Sequence, residues 1–338
     1  MTSNSSASAS PETMKGLVQK SFNGPDDLVM VTDLPVPSPG PHDYLIKVGA
    51  AGLNFADVMQ TRGTYAGGPV PEYVAGFEAA GEIVAVGCEI ADPLPIGSHI
   101  IGAGPGAFAQ YMVMPSVTVA PVPPGWSDAA SLGLVLNWAT ALAAIKPLGN
   151  LASGEWVLVH AAAGGVGQAA IRLARHYGAK VVATASQHKH KVLAGLGADV
   201  VLDRERADLG AEIRRLTGGV DLVLESVGKA TFSTSLSVAK PFMGRIVVFG
   251  AASGDASIST HELVFEHRVQ VKGLHVGAFA ELVPELYVDL LEELSSLIEL
   301  GVYTPGNPDV HSIADGPAAM RALAGGGTVG KLAIDPWS

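Results

Sequence analysis

The sequence predicts an α/β protein in which a doubly wound parallel sheet follows a β-rich domain with the character of a partly open barrel. At 338 residues, the chain is long enough for about two domains. In its first third, apolar runs of strand length are separated by Gly and Pro, which is typical of a β-rich domain. From about Asn137, strand-like runs alternate with helical spacing, and this alternation indicates βαβ units.

Composition narrows the classes of protein that fit. The net charge of −11 repels phosphate backbones, so we expect no nucleic-acid partner. The single cysteine, Cys88, excludes a disulfide framework and a multi-cysteine zinc site, and it fits a reducing, cytoplasmic compartment. The chain has no uninterrupted run of about 18 apolar residues, so we expect neither a transmembrane helix nor a membrane partner.

The N-terminal part divides into a tail and the β-rich domain. Residues 1–13 are predicted to form a disordered tail, because the Ser/Ala-rich start has neither the basic nor the apolar region of a secretory signal. Residues 120–125 are rich in Pro and indicate a stiff connector, after which Ser127 or Asp128 is a plausible helix N-cap. Four strands are predicted in this domain, at 44–48, 81–86, 98–101 and 111–114.

The remainder supplies the elements of the parallel sheet. Strands are predicted at 155–160, 180–185, 200–202, 221–224, 245–249 and 269–274. Helices are predicted at 165–177, 192–196 and 282–300. Residues 331–334 are predicted as an edge strand.

The most informative segment is a Gly-rich turn between the first of these strands and the first helix. Gly164, Gly165 and Gly167 lie where the helix opens, and unsatisfied amides and the helix dipole at such a start can hold a pyrophosphate. The spacing is A-x-x-G-x-x-G and lacks the first glycine of the usual dinucleotide motif. A simple Gly-rich turn in an α/β protein therefore stays open as an alternative.

The end of the second strand bears on which cofactor binds. An NAD site places Asp or Glu there for the ribose 2′-OH, but residues 181–186 contain no acid. Lys189 lies among basic and polar residues just after this strand, and Arg204 follows later. These cations favour the 2′-phosphate of NADP(H), although a solvated helix start is the alternative. His188 and His190 have no Cys or carboxylate beside them, which argues against a metal site.

Several ordered motifs carry a family resemblance: residues 50–57, 76–81, 106–111, 158–167 and 329–332. With them the chain resembles the medium-chain dehydrogenase/reductase superfamily, in its zinc-free quinone oxidoreductase branch, the group that includes zeta-crystallin. The resemblance implies a Rossmann NADP-binding domain at 137–283. It also implies a GroES-like, partly open β-barrel catalytic domain formed by 14–136 and 284–338.

The same resemblance bears on zinc. Zinc-dependent relatives have a cysteine where this chain has Asn54 and a histidine where it has Phe77. Neither side chain can supply the thiolate or the imidazole of a catalytic zinc site, so we expect no metal.

Site residues are implied by the resemblance as well. Asn54 and Tyr65 are implied in the acceptor pocket. The alternative for Asn54 is a buried amide that ties down a loop, and the alternative for Tyr65 is packing at the surface. Thr140 is implied near the nicotinamide, or else bonds to its own helix. Asp57 resembles a pocket-edge residue with no catalytic role. The implied cofactor-binding residues are Thr140, Ala163, Gly164, Gly165, Val166, Gly167, Ser186, Lys189, Arg204, Phe249, Gly250, Ala251, Leu274, Val276, Gly330 and Lys331.

These residues together lead to an expected function. We expect NADPH-dependent hydride transfer to a small molecule, a quinone or an α,β-unsaturated carbonyl, in a homodimer as is usual for the family. Two alternatives stay open: reduction of enoyl thioesters, and a non-enzymatic NADPH-binding protein of the crystallin kind. Arg204 departs from the tyrosine that many relatives carry there, so it either binds the phosphate by charge or is merely solvated.

Overall fold

The computed structural model describes residues 11–338. Most of the predicted tail, 1–13, therefore lies outside the described residues, and Thr13 already begins the first strand. The described chain forms two compact units. The first contains the residues up to Leu132, then Gly306–Gly326 and Lys331–Ser338; the second contains Gly133–Pro305 and Gly327–Gly330.

The helices and strands follow in chain order. The segment up to residue 132 contains β1 (Thr13–Gln19), β2 (Leu28–Pro35), β3 (Asp43–Leu53), α1 (Phe55–Thr61), β4 (Tyr73–Val74), β5 (Glu78–Val86), β6 (His99–Ala103), β7 (Tyr111–Pro115), β8 (Val119–Pro121) and α2 (Asp128–Ser131).

The middle of the chain begins with a π-helical turn, Leu134–Trp138. It continues with α3 (Ala139–Ile145), β9 (Trp156–Val159), α4 (Gly165–His176), β10 (Lys180–Ala185), α5 (His190–Gly195), β11 (Val200–Asp203), α6 (Leu209–Thr217), β12 (Leu222–Glu225), α7 (Phe232–Val238), β13 (Arg245–Val248), β14 (Gln270–Gly273), α8 (Val276–Leu282) and α9 (Pro284–Glu299). The chain closes with β15 (Asp309–Ser312), α10 (Gly316–Ala324) and β16 (Leu332–Asp335).

The first unit is built from antiparallel β structure, apart from the parallel pair of β15 and β16. A three-stranded sheet has the order β2-β1-β4, and a larger sheet has the order β15-β16-β3-β5-β6-β8 with β7 also paired to β3. Its core consists of residues with almost no exposed surface, among them Ile46, Ile83, Phe108 and Met112. The prediction of an edge strand at 331–334 is wrong, because β16 lies between β15 and β3 and uses both of its edges.

The second unit is a doubly wound parallel sheet, as predicted. Its six strands have the order β11-β10-β9-β12-β13-β14, and every pair along it is parallel. Leu158, Val182, Val223 and Ile246 are fully buried, as expected for strands covered on both faces. The strand order reverses between β9 and β12, and ligands of such sheets bind beyond the carboxyl ends of the strands at this switch point.

The C-terminal boundary between the units differs from the expected one. Residues 284–305 were expected in the catalytic domain, but the structure places them in the second unit. The reason is an apolar helix face: Leu290, Leu294 and Leu297 of α9 are buried, and Tyr287 Oη donates to the carbonyl of Val135 at 3.2 Å.

Two helix predictions can also be compared with the structure. The single helix predicted at 282–300 is two helices, α8 and α9, because the chain breaks at Val283 and Pro284 starts the second. The N-cap at Ser127 is confirmed, since its hydroxyl accepts a hydrogen bond from the Ala130 amide at 3.2 Å.

One apolar segment has the length and composition of a membrane span. Among the described residues this is Asp128–Ile145, and 72% of it is buried inside the protein. Buried core helices commonly show the same composition, so the segment is weak support for a membrane span.

Candidate active site

The Gly-rich turn between β9 and α4 is shaped by close contacts. A Cβ on Gly165 would lie 2.6 Å from Oδ1 of Asn137, and one on Gly167 would lie 2.6 Å from the backbone of Ala162. Only glycine fits at either position without a shift of its surroundings. Ala161 has a φ of +47°, a left-handed conformation that alanine adopts rarely. The sequence did not single out Asn137, because its contact depends on how the π-helical turn packs.

The start of α4 suits an anion. A Cβ on Gly164 would meet no atom closer than the Ala161 carbonyl at 3.5 Å, which is an ordinary van der Waals contact. In the described part of the chain, no side chain caps the twelve-residue helix, and the first-turn amides are left for a ligand. These amides and the positive end of the helix dipole match a pyrophosphate.

Gly330, implied as a cofactor-binding residue, also lies at this turn, and its contact with a cofactor stays a prediction. Its amide donates to the carbonyl of Ala163 at 2.8 Å, and Nε2 of Gln168 donates to the same carbonyl at 2.9 Å. Gly330 has a φ of +73°, which favours glycine. The segment 327–330 therefore fixes the position of the turn.

Two cations gather at the ends of β10 and β11. Ser186 directly follows β10, and the amide of Arg204 donates to the carbonyl of Ala185 at 3.1 Å. Lys189 is 7% exposed, and its ammonium donates to the carbonyl of Thr328 at 2.7 Å. Burial lowers the pKa of Lys189, and the positive charge of Arg204 lowers it further. An anion beside both groups would relieve this repulsion.

The residues implied at the nicotinamide lie at other strand ends of the second unit. Phe249, Gly250 and Ala251 follow β13, and a Cβ on Gly250 would lie 2.7 Å from the Ser226 carbonyl. The amide of Leu274 donates to the carbonyl of Val248 at 2.8 Å. Val276 begins α8, and Thr140 is buried within α3. Their contacts with a nicotinamide stay a prediction.

A buried polar network supports the strand ends beneath the turn. His160 lies with Nδ1 2.9 Å from the Thr184 hydroxyl and Nε2 3.1 Å from the Ser235 hydroxyl. Ser235 donates to Glu225 at 2.6 Å, and Glu225 also accepts hydrogen bonds from two backbone amides. Burial lowers the pKa of His160, although Glu225 opposes this. The network links β9, β10, β12 and α7, and local sequence patterns gave no signal for it.

In the first unit, Asn54 belongs to a cluster with Glu78 and Lys331. The Lys331 ammonium donates to Asn54 Oδ1 at 2.7 Å and forms an ion pair with the fully buried Glu78. Asn54 Nδ2 donates to Glu78 at 3.0 Å. The amide of Asn54 is thus held in place, and its contact with an acceptor stays a prediction. Lys331 was implied at the cofactor, and its contact with a cofactor stays a prediction.

Asp57 lies next to this cluster, in the first turn of α1. Its Oδ2 accepts a hydrogen bond from the backbone amide of Asn54 at 2.7 Å, and its Oδ1 is buried with no partner among the described residues. Burial raises the pKa of Asp57 to about 8; the Asn54 hydrogen bond and Lys331 oppose this rise, and Glu78 adds to it. Burial therefore favours the protonated form of Asp57 at neutral pH.

Two tyrosines lie within reach of the Asp57 charge. Burial raises the pKa of Tyr65, and a charge on Asp57 raises it further. The same two causes raise the pKa of Tyr73 to about 12. Tyr65 is half-buried in the loop after α1, and Tyr73 is in β4. Both phenols stay protonated at neutral pH and can donate hydrogen bonds.

Within residues 11–338, no group of three or more His, Cys, Asp or Glu residues is arranged to hold a metal ion. Phe77 precedes Glu78 at the start of β5 and cannot be a ligand.

Comparisons with known proteins identify the family. The family model described as "Alcohol dehydrogenase GroES-like domain" matches residues 40–124, and the one described as "Zinc-binding dehydrogenase" matches residues 165–293. The synaptic vesicle membrane protein VAT-1 homolog of Rattus norvegicus is 30% identical over 343 residues, which cover 96% of this chain and 84% of that protein. The chain belongs to the medium-chain dehydrogenase/reductase superfamily.

Other relatives of this superfamily member differ in length. Prostaglandin reductase-3 of Bos taurus is 36% identical over 73% of this chain and 66% of that protein. Highly-reducing polyketide synthase 1 of Aureobasidium melanogenum is 34% identical over 93% of this chain. The chain spans only 14% of that synthase.

Solved structures place this superfamily member in the zinc-free quinone oxidoreductase branch. A mycobacterial structure complexed with NADPH has a TM-score of 0.90 and 31% identity, and the match covers 96% of this chain and all of that one. Escherichia coli quinone oxidoreductase complexed with NADPH has a TM-score of 0.89 and 25% identity, covering 95% and 100% of the two chains. CurK enoyl reductase has a TM-score of 0.85 and 29% identity, covering 96% and 99%.

The pKa of Asp57 predicts a pH-dependent stability. The folded protein keeps a proton up to about pH 8 that the unfolded chain releases near its ordinary pKa of 3.8, so this contribution to stability is lost as pH rises from 4 to 8. Relative to Asp57→Asn, which cannot ionise, the wild type loses up to about 1.4 kcal/mol per pH unit over this range. Thermal melting of both proteins at pH 5, 6.5 and 8 measures the effect.

The matched control is Asp33→Asn, at an exposed position on β2. Its melting temperature should differ from that of the wild type by the same amount at each pH. A constant difference for Asp57→Asn as well would contradict the proton held by Asp57.

Proposed function

We propose that this protein is an NADPH-dependent, zinc-independent reductase that transfers hydride to electron-poor small molecules, either quinones or α,β-unsaturated carbonyls. One observation carries the proposal. The uncapped start of α4 belongs to the same unit as two cations, Lys189 and Arg204. No carboxylate follows β10 directly. Such a combination suits a dinucleotide with an extra phosphate.

The residues present fit this cofactor. The amides of residues 165–167, at the start of α4, would hold its pyrophosphate, and Ser186, Lys189 and Arg204 its 2′-phosphate. The strand ends at 249–251 and Leu274, with Thr140 and Val276, would line its nicotinamide. When bound, NADPH supplies the hydride, and the protein supplies binding and orientation.

The acceptor is inferred from the chemistry of the side chains in the first unit. At the two positions where zinc-dependent relatives have ligands, this chain has Asn54 and Phe77. An amide and a phenyl ring cannot bind zinc as a thiolate and an imidazole do. An alcohol therefore lacks its usual activation, whereas a quinone or an enone accepts hydride readily. Tyr65 keeps its phenolic proton and would donate a hydrogen bond to the carbonyl oxygen of the acceptor.

Reduction of enoyl thioesters is the second candidate. It is supported by the similarity to CurK enoyl reductase and to the polyketide synthases, of which the chain spans only a small part. An enoyl thioester is itself an α,β-unsaturated carbonyl, so the chemistry is shared, and the acyl chain is the feature that differs.

A panel of acceptors tests the proposed function. With NADPH and no added metal, we expect turnover of a quinone, an enone or an enoyl thioester, followed by the loss of absorbance at 340 nm. EDTA should leave the rate unchanged, and NADPH should exceed NADH in kcat/KM by at least about tenfold, since a charge-assisted hydrogen bond contributes about 1.5–3 kcal/mol. Loss of activity with EDTA contradicts zinc independence. Tight NADPH binding without turnover on the whole panel indicates a non-enzymatic binding protein instead.

Lys189→Met tests the phosphate contact. Removing the cation should weaken NADPH binding about tenfold to a hundredfold and leave NADH binding nearly unchanged, because only NADPH carries the 2′-phosphate. Fluorescence titration measures both dissociation constants. The control is Lys191→Met, which removes an exposed cation two residues further along. Equal losses for both cofactors in Lys189→Met would contradict the assignment.

We also propose a cytoplasmic homodimer in which two copies pair along β14. This strand lies at the edge of the parallel sheet, and its Val271 is exposed. Phe242 and Met243 are about two-thirds exposed, and Gln270 of β14 donates to the Phe242 carbonyl at 3.3 Å. An apolar sheet edge with unpaired backbone groups is a template for pairing with another chain.

Light scattering after size exclusion tests the dimer. We expect twice the chain mass for the wild type and a monomer for Val271→Asp, because a buried carboxylate at the paired edge is costly. Leu300→Asp places the same change at an exposed leucine elsewhere in the second unit and should stay dimeric. A monomeric wild type, or a dimer that survives Val271→Asp, would refute this interface.

A further inference from the structure

Four buried polar side chains are joined by hydrogen bonds beneath the Gly-rich turn. Thr184, His160, Ser235 and Glu225 are each at most 2% exposed. His160 directly precedes the turn, Thr184 lies near the end of β10, and Glu225 is the last residue of β12. Buried polar groups that are fully hydrogen-bonded fix one arrangement of the elements that carry them. The direction of each hydrogen bond therefore bears on how the turn is held.

The carboxyl of Glu225 is the terminal acceptor of this group. It accepts four hydrogen bonds of 2.6 to 3.0 Å, from the Val227 and Gly228 amides and the Thr231 and Ser235 hydroxyls. Ser235 thereby uses its only proton. Its oxygen must then accept a hydrogen bond from Nε2 of His160, which lies 3.1 Å away.

This contact assigns the tautomer of His160. Burial lowers the pKa of the ring, although Glu225 opposes this, and a neutral imidazole carries a single proton. Because that proton lies on Nε2, Nδ1 is an acceptor, and the Thr184 hydroxyl donates to it at 2.9 Å. Every donor in the chain from Thr184 through His160 and Ser235 thus points toward Glu225.

Thr184 holds the Gly-rich turn at two points. Its hydroxyl bonds the ring of His160, and its carbonyl accepts a hydrogen bond from the Ala162 amide at 3.1 Å. Between these contacts lies Ala161, in the left-handed conformation. Ala162 is also the residue on which Gly167 packs. A displaced imidazole would therefore move the backbone against which the start of α4 is packed.

The other end of the chain of hydrogen bonds shapes the loop after β12. A Cβ on Gly228 would lie 2.4 Å from the carbonyl of Gly254, and one on Gly250 would lie 2.7 Å from the carbonyl of Ser226. The Ser253 amide donates to the carbonyl of Val227 at 2.7 Å. The loop at 226–228 is thus packed against the segment that contains residues 249–251, which are implied at the nicotinamide.

We propose that His160 is a positioning residue for the dinucleotide, and that its Nε2–H tautomer holds the pyrophosphate turn in register with the loop at 226–228. It acts through the backbone of residues 161–163. The inference rests on the proposed function only for the cofactor and requires no acceptor. Since NADPH and NADH share the pyrophosphate, loss of this support should weaken both to the same extent, unlike loss of the Lys189 cation.

Ser235→Ala tests the inference because it interrupts the chain between His160 and Glu225. Ser237→Ala is the matched control on the same helix, since that hydroxyl donates to the carbonyl of Thr234 at 2.8 Å. By titration calorimetry, Ser235→Ala should weaken NADPH and NADH by the same factor, roughly tenfold. Adenosine 2′,5′-bisphosphate, which has the 2′-phosphate but no pyrophosphate, should bind as it does to the wild type. Ser237→Ala should bind all three ligands normally.

A second pair of variants changes the donor at the other side of the ring. Thr184→Val keeps the shape of the side chain without its hydroxyl and should show the same loss as Ser235→Ala. Thr184→Ser keeps the hydroxyl and should restore most of the affinity. Melting temperatures establish that each variant is folded at the temperature of the titration.

The tautomer has a direct readout that needs no ligand. The nitrogen NMR spectrum of histidine-labelled wild type, with His160 assigned by His160→Gln, should show Nε2 protonated and Nδ1 unprotonated.

Three results would overturn the inference. The first is a His160 ring protonated at Nδ1. The second is unchanged NADPH affinity in both Ser235→Ala and Thr184→Val, which would leave His160 a merely structural role. The third is an equal loss for the bisphosphate, which would indicate a general loosening of the unit. Failure of the proposed function looks different, because a wild type that binds NADPH but reduces no acceptor leaves the titrations and the spectrum unaffected.

Discussion

The close approach of backbone to neighbouring atoms at the start of α4 is the constraint on which the second unit depends. Gly165 allows Asn137 to reach the turn, and Gly167 allows the helix to pack on Ala162. No side chain caps this helix start with a hydrogen bond within the described residues, so its first-turn amides are left for a ligand. The strand order around β9 then places this start at the switch point of the sheet, where a dinucleotide would bind.

Buried charged groups are stabilised in different ways at different places in the protein. Around Glu78, a lysine and an amide supply direct partners, and a carboxyl group can be buried at tolerable cost because of them. Within the described residues, the carboxyl of Asp57 accepts one hydrogen bond, from the backbone amide of Asn54, and burial raises its pKa to about 8. In the second unit, the buried Lys189 ammonium donates to the carbonyl of Thr328, and the positive charge of the exposed Arg204 acts on it.

Much of the fold could be predicted from local pattern. The buried strand runs at 155–160 and 180–185 and the helix after Gly165 have strong periodicity, and the structure contains them within a few residues. The interior position of β16 and the break at Val283 depend on pairing and packing between distant segments, which no local window contains.

The same distinction holds for the candidate site. The Gly-rich turn is contiguous in sequence, and it is identified from the sequence alone. So is Lys189, the cation that follows β10. The cluster at Asn54 joins residues 24 and 277 positions apart, and Asp57 differs from an ordinary first-turn acid only in its burial. Such groups become visible only when the chain is folded, since their chemistry is set by what surrounds them.

The short segment 327–330 has a topological consequence. It belongs to the second unit, while the residues on either side of it belong to the first. The polypeptide thus enters the second unit a second time, just long enough for Gly330 to bond Ala163, and then returns to supply the strand β16. Neither unit is a continuous stretch of chain, and no single cut of the polypeptide yields either one intact.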